Sequence, residues 1–152
     1  MLVKDIRPGA AGSIGFPDFT LMGFAVYFAA DDGVNGNELW KSDGTAAGTV
    51  LVEDINPGAG SSVPSYLTNV SGTLFFAASN GVDGIELWKS DGTAAGTVLV
   101  KDISPFAEPD SSSSPSFLTN VSGTLFFRAD DGVYGVGDEL WKSDGTEAGT
   151  GS

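Results

Sequence analysis

Acidic side chains that recur at fixed places are the groups in this sequence best suited to chemistry. One set stands in the block Ser-Asp-Gly-Thr, which occurs three times. Its aspartate and glycine positions are Asp43 and Gly44, Asp91 and Gly92, and Asp144 and Gly145. An aspartate at this place can accept backbone N–H groups, and the glycine after it adopts a positive φ, so the block predicts a tight turn. A ligand or catalytic acid is the alternative, but an active site is rarely built in triplicate, so we expect structural turns.

A second set of acidic residues lies in the loop before each Glu-Leu-Trp triplet. It consists of Asp31, Asp32, Asp83, Asp130 and Asp131. Their oxygens could bind Ca²⁺, which prefers hard oxygen ligands. The residue order does not match an EF-hand, and the loops differ in length. We therefore expect solvated turn residues, with Ca²⁺ binding as the alternative and no other cofactor.

The Glu-Leu-Trp triplets themselves pair a carboxylate with an indole. Their residues are Glu38 and Trp40, Glu86 and Trp88, and Glu139 and Trp141. Packing between repeats is the first interpretation, with each indole N–H needing a partner if it is buried. The alternative is one sugar subsite per repeat, weak singly and strong through avidity. Tyr66, Phe117 and Tyr134 could bind sugars or pack in the same way.

Composition excludes most other chemistry. The 152 residues contain no His and no Cys, which removes a His-based triad, a thiolate nucleophile, a zinc site of nitrogen or sulfur ligands, and disulfides. The net charge of −13 argues against nucleic acid as a partner. Residues 21–30 form the longest apolar stretch, too short to span a bilayer, and the charged start does not resemble a signal peptide. We expect a soluble chain.

Internal repeats organise the whole sequence. The segment ELWKSDGTAAGTVLV at 38–52 recurs unchanged at 86–100, and its first eight residues recur at 139–146. LTNVSGTLFF at 67–76 recurs at 118–127. These matches define three repeat units, 1–49, 50–97 and 98–150, followed by 151–152, which resemble a cloning remnant.

Each unit predicts four short strands and no helix. In the second unit they are 50–55, 66–70, 72–78 and 85–90, separated by turn dipeptides. Apolar residues point to both faces in 73–78 and 25–30, which predicts sheets covered on both sides. The third unit contains an insertion at 106–114, and its serine run at 111–114 is expected to be a mobile surface loop.

The repeated ELWKSDGT block, with its preceding Asp-Gly and Asn-Gly turns, resembles the ELWxxDGT-repeat proteins of bacteria over the whole chain. That resemblance implies a β-propeller from a secreted or cell-surface protein, in a family whose functions are mostly uncharacterised. The Ser-Asp-Gly-Thr turns also resemble the Asp-box turns of sialidase propellers, which are structural there.

Three blades cannot close a usual ring of roughly 4 to 8 blades, so the sequence predicts self-association. A homodimer would give six blades and a homotrimer nine. Residues 2–6 are expected to form the last strand of the third unit, from the same chain or from another copy. A monomeric β-trefoil is the alternative fold.

The function predicted from the sequence is therefore a non-catalytic repeat scaffold that self-assembles, from a parent protein involved in surface recognition. A multivalent carbohydrate-binding lectin is one alternative, with glycans as partners. A sialidase-like hydrolase is the other, and it lacks a unique nucleophile and base pair.

Overall fold

A computed structural model describes residues 1–9, 11–15, 18–105, 111–133 and 137–152. Over these residues the chain is all-β, as predicted, with eleven strands and no helix. The strands are β1 Thr20–Met22, β2 Ala25–Asp31, β3 Asn37–Ser42, β4 Val50–Glu53, β5 Ser65–Val70, β6 Thr73–Ser79, β7 Ile85–Ser90, β8 Val98–Lys101, β9 Ser116–Val121, β10 Thr124–Asp130 and β11 Asp138–Ser143.

The strands form three antiparallel sheets in which chain order is also spatial order. Sheet 1 contains β1 to β4, sheet 2 contains β5 to β8, and sheet 3 contains β9 to β11. A single bridge between Lys142 and Gly151 extends sheet 3. Sheet 1 ends with β4, whose residues open the second repeat unit. Each of the first two sheets thus takes its last strand from the following unit.

The strand prediction for the second unit is confirmed to within two residues at each boundary. Residues 1–9 contain no strand, so residues 2–6 do not complete sheet 3 within the same chain, and their pairing with another copy stays a prediction. A strand needs an edge to pair with, and within this chain the outer edge of sheet 3 is bridged by Gly151 instead. Met1 and Leu2 are left exposed.

Two hydrophobic clusters join neighbouring sheets. The cluster between sheets 1 and 2 contains Met22, Tyr27, Leu39, Val52, Ile55, Leu67, Leu74, Phe76, Ala78 and Trp88. The cluster between sheets 2 and 3 contains Val70, Phe75, Leu87, Val100, Ile103, Leu125, Phe127, Ala129 and Trp141. In β6 the five residues between Thr73 and Ser79 are all buried, which confirms that this strand is covered on both sides. In β10 only alternate residues are buried.

Candidate functional site

The junction between sheets 2 and 3 is built around a buried carboxylate. Glu86 on β7 has no exposed surface. Its Oε2 accepts the N–H of Ile103 at 3.0 Å and the hydroxyl of Ser113 at 2.5 Å, and its Oε1 accepts the N–H of Ser113 at 2.8 Å. One side chain of sheet 2 therefore fixes the backbone that leads into sheet 3.

The junction between sheets 1 and 2 repeats this arrangement. Glu38 on β3 is also fully buried. It accepts the N–H of Ile55 at 2.9 Å, the N–H of Ser62 at 2.8 Å and the hydroxyl of Ser62 at 2.5 Å. We call this set of three hydrogen bonds to one glutamate the glutamate latch.

Burial raises the pKa of the Glu38 and Glu86 carboxyls, although the hydrogen bonds from the latch serine favour the charged form. The removal of each carboxylate from water thus outweighs its three donors. A group in this state is suited to holding backbone in place, and it is not accessible from solvent.

The latch serines also bind the sheet that follows them. The carbonyl oxygen of Ser62 accepts the N–H of Ser79 in sheet 2, and that of Ser113 accepts the N–H of Asp130 in sheet 3. Sequence reasoning missed both serines. It placed Ser113 in a mobile surface loop, which is wrong because this residue is buried and hydrogen bonded to both sheets. The sequence did contain a signal for these serines: Ser13 and Ser62 are 49 residues apart, which is also the spacing of the equivalent residues Val3 and Val52 in the first two repeat units.

Sheet 3 carries the third copy of the triplet in a different environment. Glu139 on β11 is exposed, whereas Glu38 and Glu86 are buried. The next residue, Leu140, is 68% exposed, whereas its counterpart Leu87 is 0% exposed. No other described sheet covers this face of sheet 3, which also presents Val121 and Arg128 to solvent.

The lysine that follows each of the first two triplets donates a hydrogen bond across a junction. The Lys41 ammonium donates to the carbonyl oxygen of Gly92 at 2.7 Å, and that of Lys89 donates to Gly145 at 2.6 Å. Both acceptors belong to the Ser-Asp-Gly-Thr turn of the next sheet. Lys142, the third lysine of the series, is exposed.

At the opposite end of the stack, the outer face of sheet 1 is covered by residues of the N-terminal segment and by no other described sheet. Ile6, Phe28, Ala30 and Trp40 form a small cluster there, with Val26 and Leu51 packed against it. A groove of about 300 Å³ runs between residues 1–6 and sheet 1, and apolar side chains contribute most of its lining. Leu2 and Val3 line this groove and are exposed.

The three tryptophans lie in these clusters and are almost fully buried. The Lys4 ammonium is 5.9 Å from the ring centroid of Trp40, and the Lys101 ammonium is 5.6 Å from that of Trp141. The indole N–H groups of Trp40 and Trp141 have no hydrogen-bond partner among the described residues, contrary to the sequence expectation for a buried indole. A sugar could not stack on these rings unless the clusters opened.

The other aromatic residues named from the sequence are more accessible. The rings of Tyr66 and Phe117 are 6.1 Å apart, and both residues are exposed and have positive φ. Tyr134 lies outside the described residues, as do residues 106–110 of the insertion.

Each Ser-Asp-Gly-Thr block forms a turn closed by its own aspartate. Oδ1 of Asp43 accepts the N–H and the hydroxyl of Thr45, and Asp91 and Asp144 accept the same two groups of Thr93 and Thr146. The threonine hydroxyl bond is the main cause that lowers the pKa of all three aspartates. The three aspartates are exposed, so the N–H groups that they accept are close to solvent and not in the core. The glycines at 44, 92 and 145 have φ near 90°.

The acidic residues considered for Ca²⁺ are held by local bonds in three separate loops. Asp31 forms an ion pair with Arg7 and accepts the N–H of Gly33. Asp32 accepts two backbone N–H groups and the amide of Asn35, and Asp83 accepts the amide of Asn80. Asp130 and Asp131 accept backbone N–H groups two residues ahead. The described residues contain no group of three or more acidic side chains placed to share a metal ion.

Comparison of the chain with protein-family models, with curated proteins and with solved structures gave no match. Over the described residues, no helix is long and apolar enough to cross a membrane.

Proposed function

We propose that this chain is a non-catalytic repeat scaffold whose three sheets are successive blades of a β-propeller, and that its copies join head to tail into a closed ring. The observation that carries the proposal is that the two outer faces carry residues equivalent to the two halves of an internal junction. Each outer face thus has a counterpart inside the chain.

The outer face of sheet 1 matches the second half of both internal clusters. Phe28, Ala30 and Trp40 occupy the positions of Phe76, Ala78 and Trp88 in sheet 2. In sheet 2 these positions pack against the preceding sheet. In sheet 1 they are buried with Ile6 and Phe19 of the same chain packed against them, and no other described sheet lies over them. A preceding sheet is therefore the surface that this face fits.

The open face of sheet 3 matches the first half of the same clusters. Val121, Phe126 and Leu140 occupy the positions of Val70, Phe75 and Leu87, which pack against the following sheet. Val121 and Leu140 are exposed and Phe126 is half-buried. Because exposed apolar faces of this kind mark interaction surfaces, and because the two faces complement each other, a second copy of the chain is the occupant we propose.

Blade number favours two copies. Two chains would give six blades, within the usual range of about 4 to 8, whereas three chains would give nine. The contact is heterologous, since the sheet 3 face of one copy meets the sheet 1 face of the next, and such contacts form a closed ring when the rotation returns to its start.

The non-catalytic part of the proposal is supported by the state of the carboxylates. Those of the triplets in sheets 1 and 2 are buried in latches, and those of the turns and loops are bound to neighbouring N–H groups or side chains. The resemblance to ELWxxDGT-repeat proteins agrees with a scaffold in a surface recognition protein.

Light scattering on the purified chain tests the proposal. We expect a homodimer, that is, twice the chain mass of 15.5 kDa, at micromolar concentration and above. About 0.15 M salt should be present, because it limits repulsion between two chains of charge −13 to about 8 Å. A monomer across this range would contradict the proposal and favour a closed monomeric fold such as the β-trefoil, or other partners for the two faces.

A further inference from the structure

We infer that Glu139 of one copy forms a third glutamate latch with Ile6 and Ser13 of the next copy. The inference rests on the proposed function and names the polar contact that would select this pairing of faces. The latch would accept the N–H of Ile6 and both the N–H and the hydroxyl of Ser13.

Ser13 already makes one of the three contacts of a latch serine. Its carbonyl oxygen accepts the N–H of Asp31 in sheet 1 at 2.8 Å, as Ser62 and Ser113 do for the sheets that follow them. Unlike those two serines, Ser13 is only half-buried. What distinguishes Ser13 is therefore the missing glutamate of a preceding sheet.

Ile6 is placed like the other latch isoleucines. Its side chain is buried in the cluster with Trp40, as Ile103 is buried with Trp141. Lys4 donates to the carbonyl oxygen of Thr49 at 2.7 Å, and Lys101 donates in the same way to Thr150 at 3.0 Å. Residues 4–6 therefore make the same contacts as residues 101–103, which lead out of sheet 2, although no described sheet precedes residues 4–6.

Among the described residues, nothing fills the space needed on the glutamate side. A Cβ at Gly84 would overlap the carbonyl oxygen of Ser111, because the segment leading to the latch serine passes directly over this glycine. Gly36 is covered in the same way by Gly60. Gly137, which precedes the third triplet, has a similar φ of 68° but nothing within 4 Å of a Cβ position. The corresponding segment of another copy could approach there.

One position of sheet 3 carries a charged residue where the other two sheets carry alanine. Arg128 stands where sheets 1 and 2 have Ala29 and Ala77. Its guanidinium is paired with Asp138 on the same sheet, so the charge would enter the junction with a partner. The pair makes the face between copies more polar than the two internal junctions.

The latch gives the association a direction. A carboxylate on sheet 3 requires the N–H and O–H donors of residues 6–13, so two sheet 3 faces would bring two carboxylates together without donors. Head-to-head pairing is therefore disfavoured, and the head-to-tail contact required by a closed ring is selected.

The test measures the dissociation constant between copies by sedimentation for the wild type, Glu139→Ala, Ser13→Ala and the double variant. Glu147→Ala is the matched control, because it removes the same charge from an exposed site in the last turn of the chain. We expect each single substitution to weaken association at least tenfold and the double variant to be little weaker than Glu139→Ala. The control should stay within about twofold of the wild type.

The outcomes separate the two proposals. If the wild type does not associate, the proposed function fails, and the latch fails with it. If the wild type associates and either single variant keeps the wild-type constant, or if the two effects simply add, the latch is wrong while the scaffold proposal stands. Circular dichroism on each variant checks that the fold is retained.

Discussion

The internal junctions and the outer faces of this molecule carry the same sequence in opposite environments. Glu86 and Leu87 are fully buried at the junction of sheets 2 and 3, whereas Glu139 and Leu140 of sheet 3 are exposed. The identical Glu-Leu-Trp-Lys-Ser-Asp-Gly-Thr block surrounds both pairs. The difference therefore comes from the neighbouring sheet, which covers the first pair and, among the described residues, has no equivalent over the second.

This comparison shows that the repeat is not a self-contained structural unit. A glutamate in one unit receives its donors from the next, and the lysine of one sheet reaches the turn of the next. Stability then depends on neighbouring junctions, as in other repeat arrays, and the terminal faces determine whether further copies bind. Matched substitutions at internal and outer positions measure this difference directly.

The largest contrast is expected between Glu86→Ala and Glu139→Ala. Removal of the Glu86 carboxylate leaves the buried N–H groups of Ile103 and Ser113 without an acceptor, which should lower the free energy of unfolding by about 3 kcal/mol. In the dissociated chain the exposed Glu139 should contribute less than about 0.5 kcal/mol. Urea unfolding at the lowest usable concentration measures both. Equal losses would contradict the latch as the source of the contrast.

A slightly smaller contrast is expected between Gly84→Ala and Gly137→Ala. Both positions have positive φ, so an alanine costs about 1 to 2 kcal/mol at either one. At Gly84 the Cβ also overlaps the Ser111 carbonyl oxygen, which should raise the total to about 3 kcal/mol. Thermal unfolding of the dissociated chains compares them. A Gly137 variant as unstable as the Gly84 variant would show that this outer face is already covered.

The lysine contacts should give a contrast of about 1 kcal/mol. Lys89→Met removes a charged hydrogen bond to the carbonyl oxygen of Gly145, whereas Lys142 is exposed. Both substitutions change the net charge equally, so repulsion cancels in the comparison. Urea unfolding should show a loss for Lys89→Met and almost none for Lys142→Met in the dissociated chain. The reverse order would be inconsistent with a bond across the junction.

The smallest expected effect concerns pH. The stability of the wild type should depend on the titration of Glu86, and Glu86→Gln should remove this part of the pH dependence. Burial raises the folded-state pKa of Glu86 above its ordinary value of 4.5, so the folded chain binds more protons than the unfolded chain. Relative to the Gln variant, the wild type should become more stable as pH falls from neutral through this raised pKa, and the gain should level off below about 4.5. Unfolding in urea over a pH series measures the difference.

Asp91→Asn provides the opposite sign as a control for this dependence. The hydrogen bonds from Thr93 lower the pKa of Asp91 below 3.8, so its stabilising effect is lost as pH falls through the lowered value. Because Asp91 is exposed, the change should be small. If the Glu86→Gln variant gains as much stability at low pH as the wild type does, the gain comes from other groups and the prediction for Glu86 is wrong.

The periodic parts of this fold were predictable from the sequence, and the contacts between units were not. Alternation and turn dipeptides located the strands of the second unit, because both signals are local. Ser113 was missed because its burial depends on Glu86, which is 27 residues away. The strand expected at 2–6 does not form within the single chain because strand formation needs a partner edge, which local residue preferences do not supply.

In the candidate site, too, local contacts were predictable from the sequence and contacts between units were not. The turn at Asp91 was predictable, since its acceptor and donors lie within two residues. The latch role of Glu86 was not, since the sequence alone left the triplets open to core packing or sugar binding. Only the spacing of the serines carried information about the junction.

Amide hydrogen exchange in the assembled protein tests the central claim most directly. The latch amides inside the chain, those of Ile55, Ser62, Ile103 and Ser113, should exchange slowly because each is hydrogen bonded to a buried glutamate. If Glu139 of another copy completes the third latch, the amides of Ile6 and Ser13 should be protected to a similar degree and should lose this protection on dilution. Rapid exchange of Ile6 and Ser13 in an assembled protein whose four internal latch amides remain protected would contradict the account.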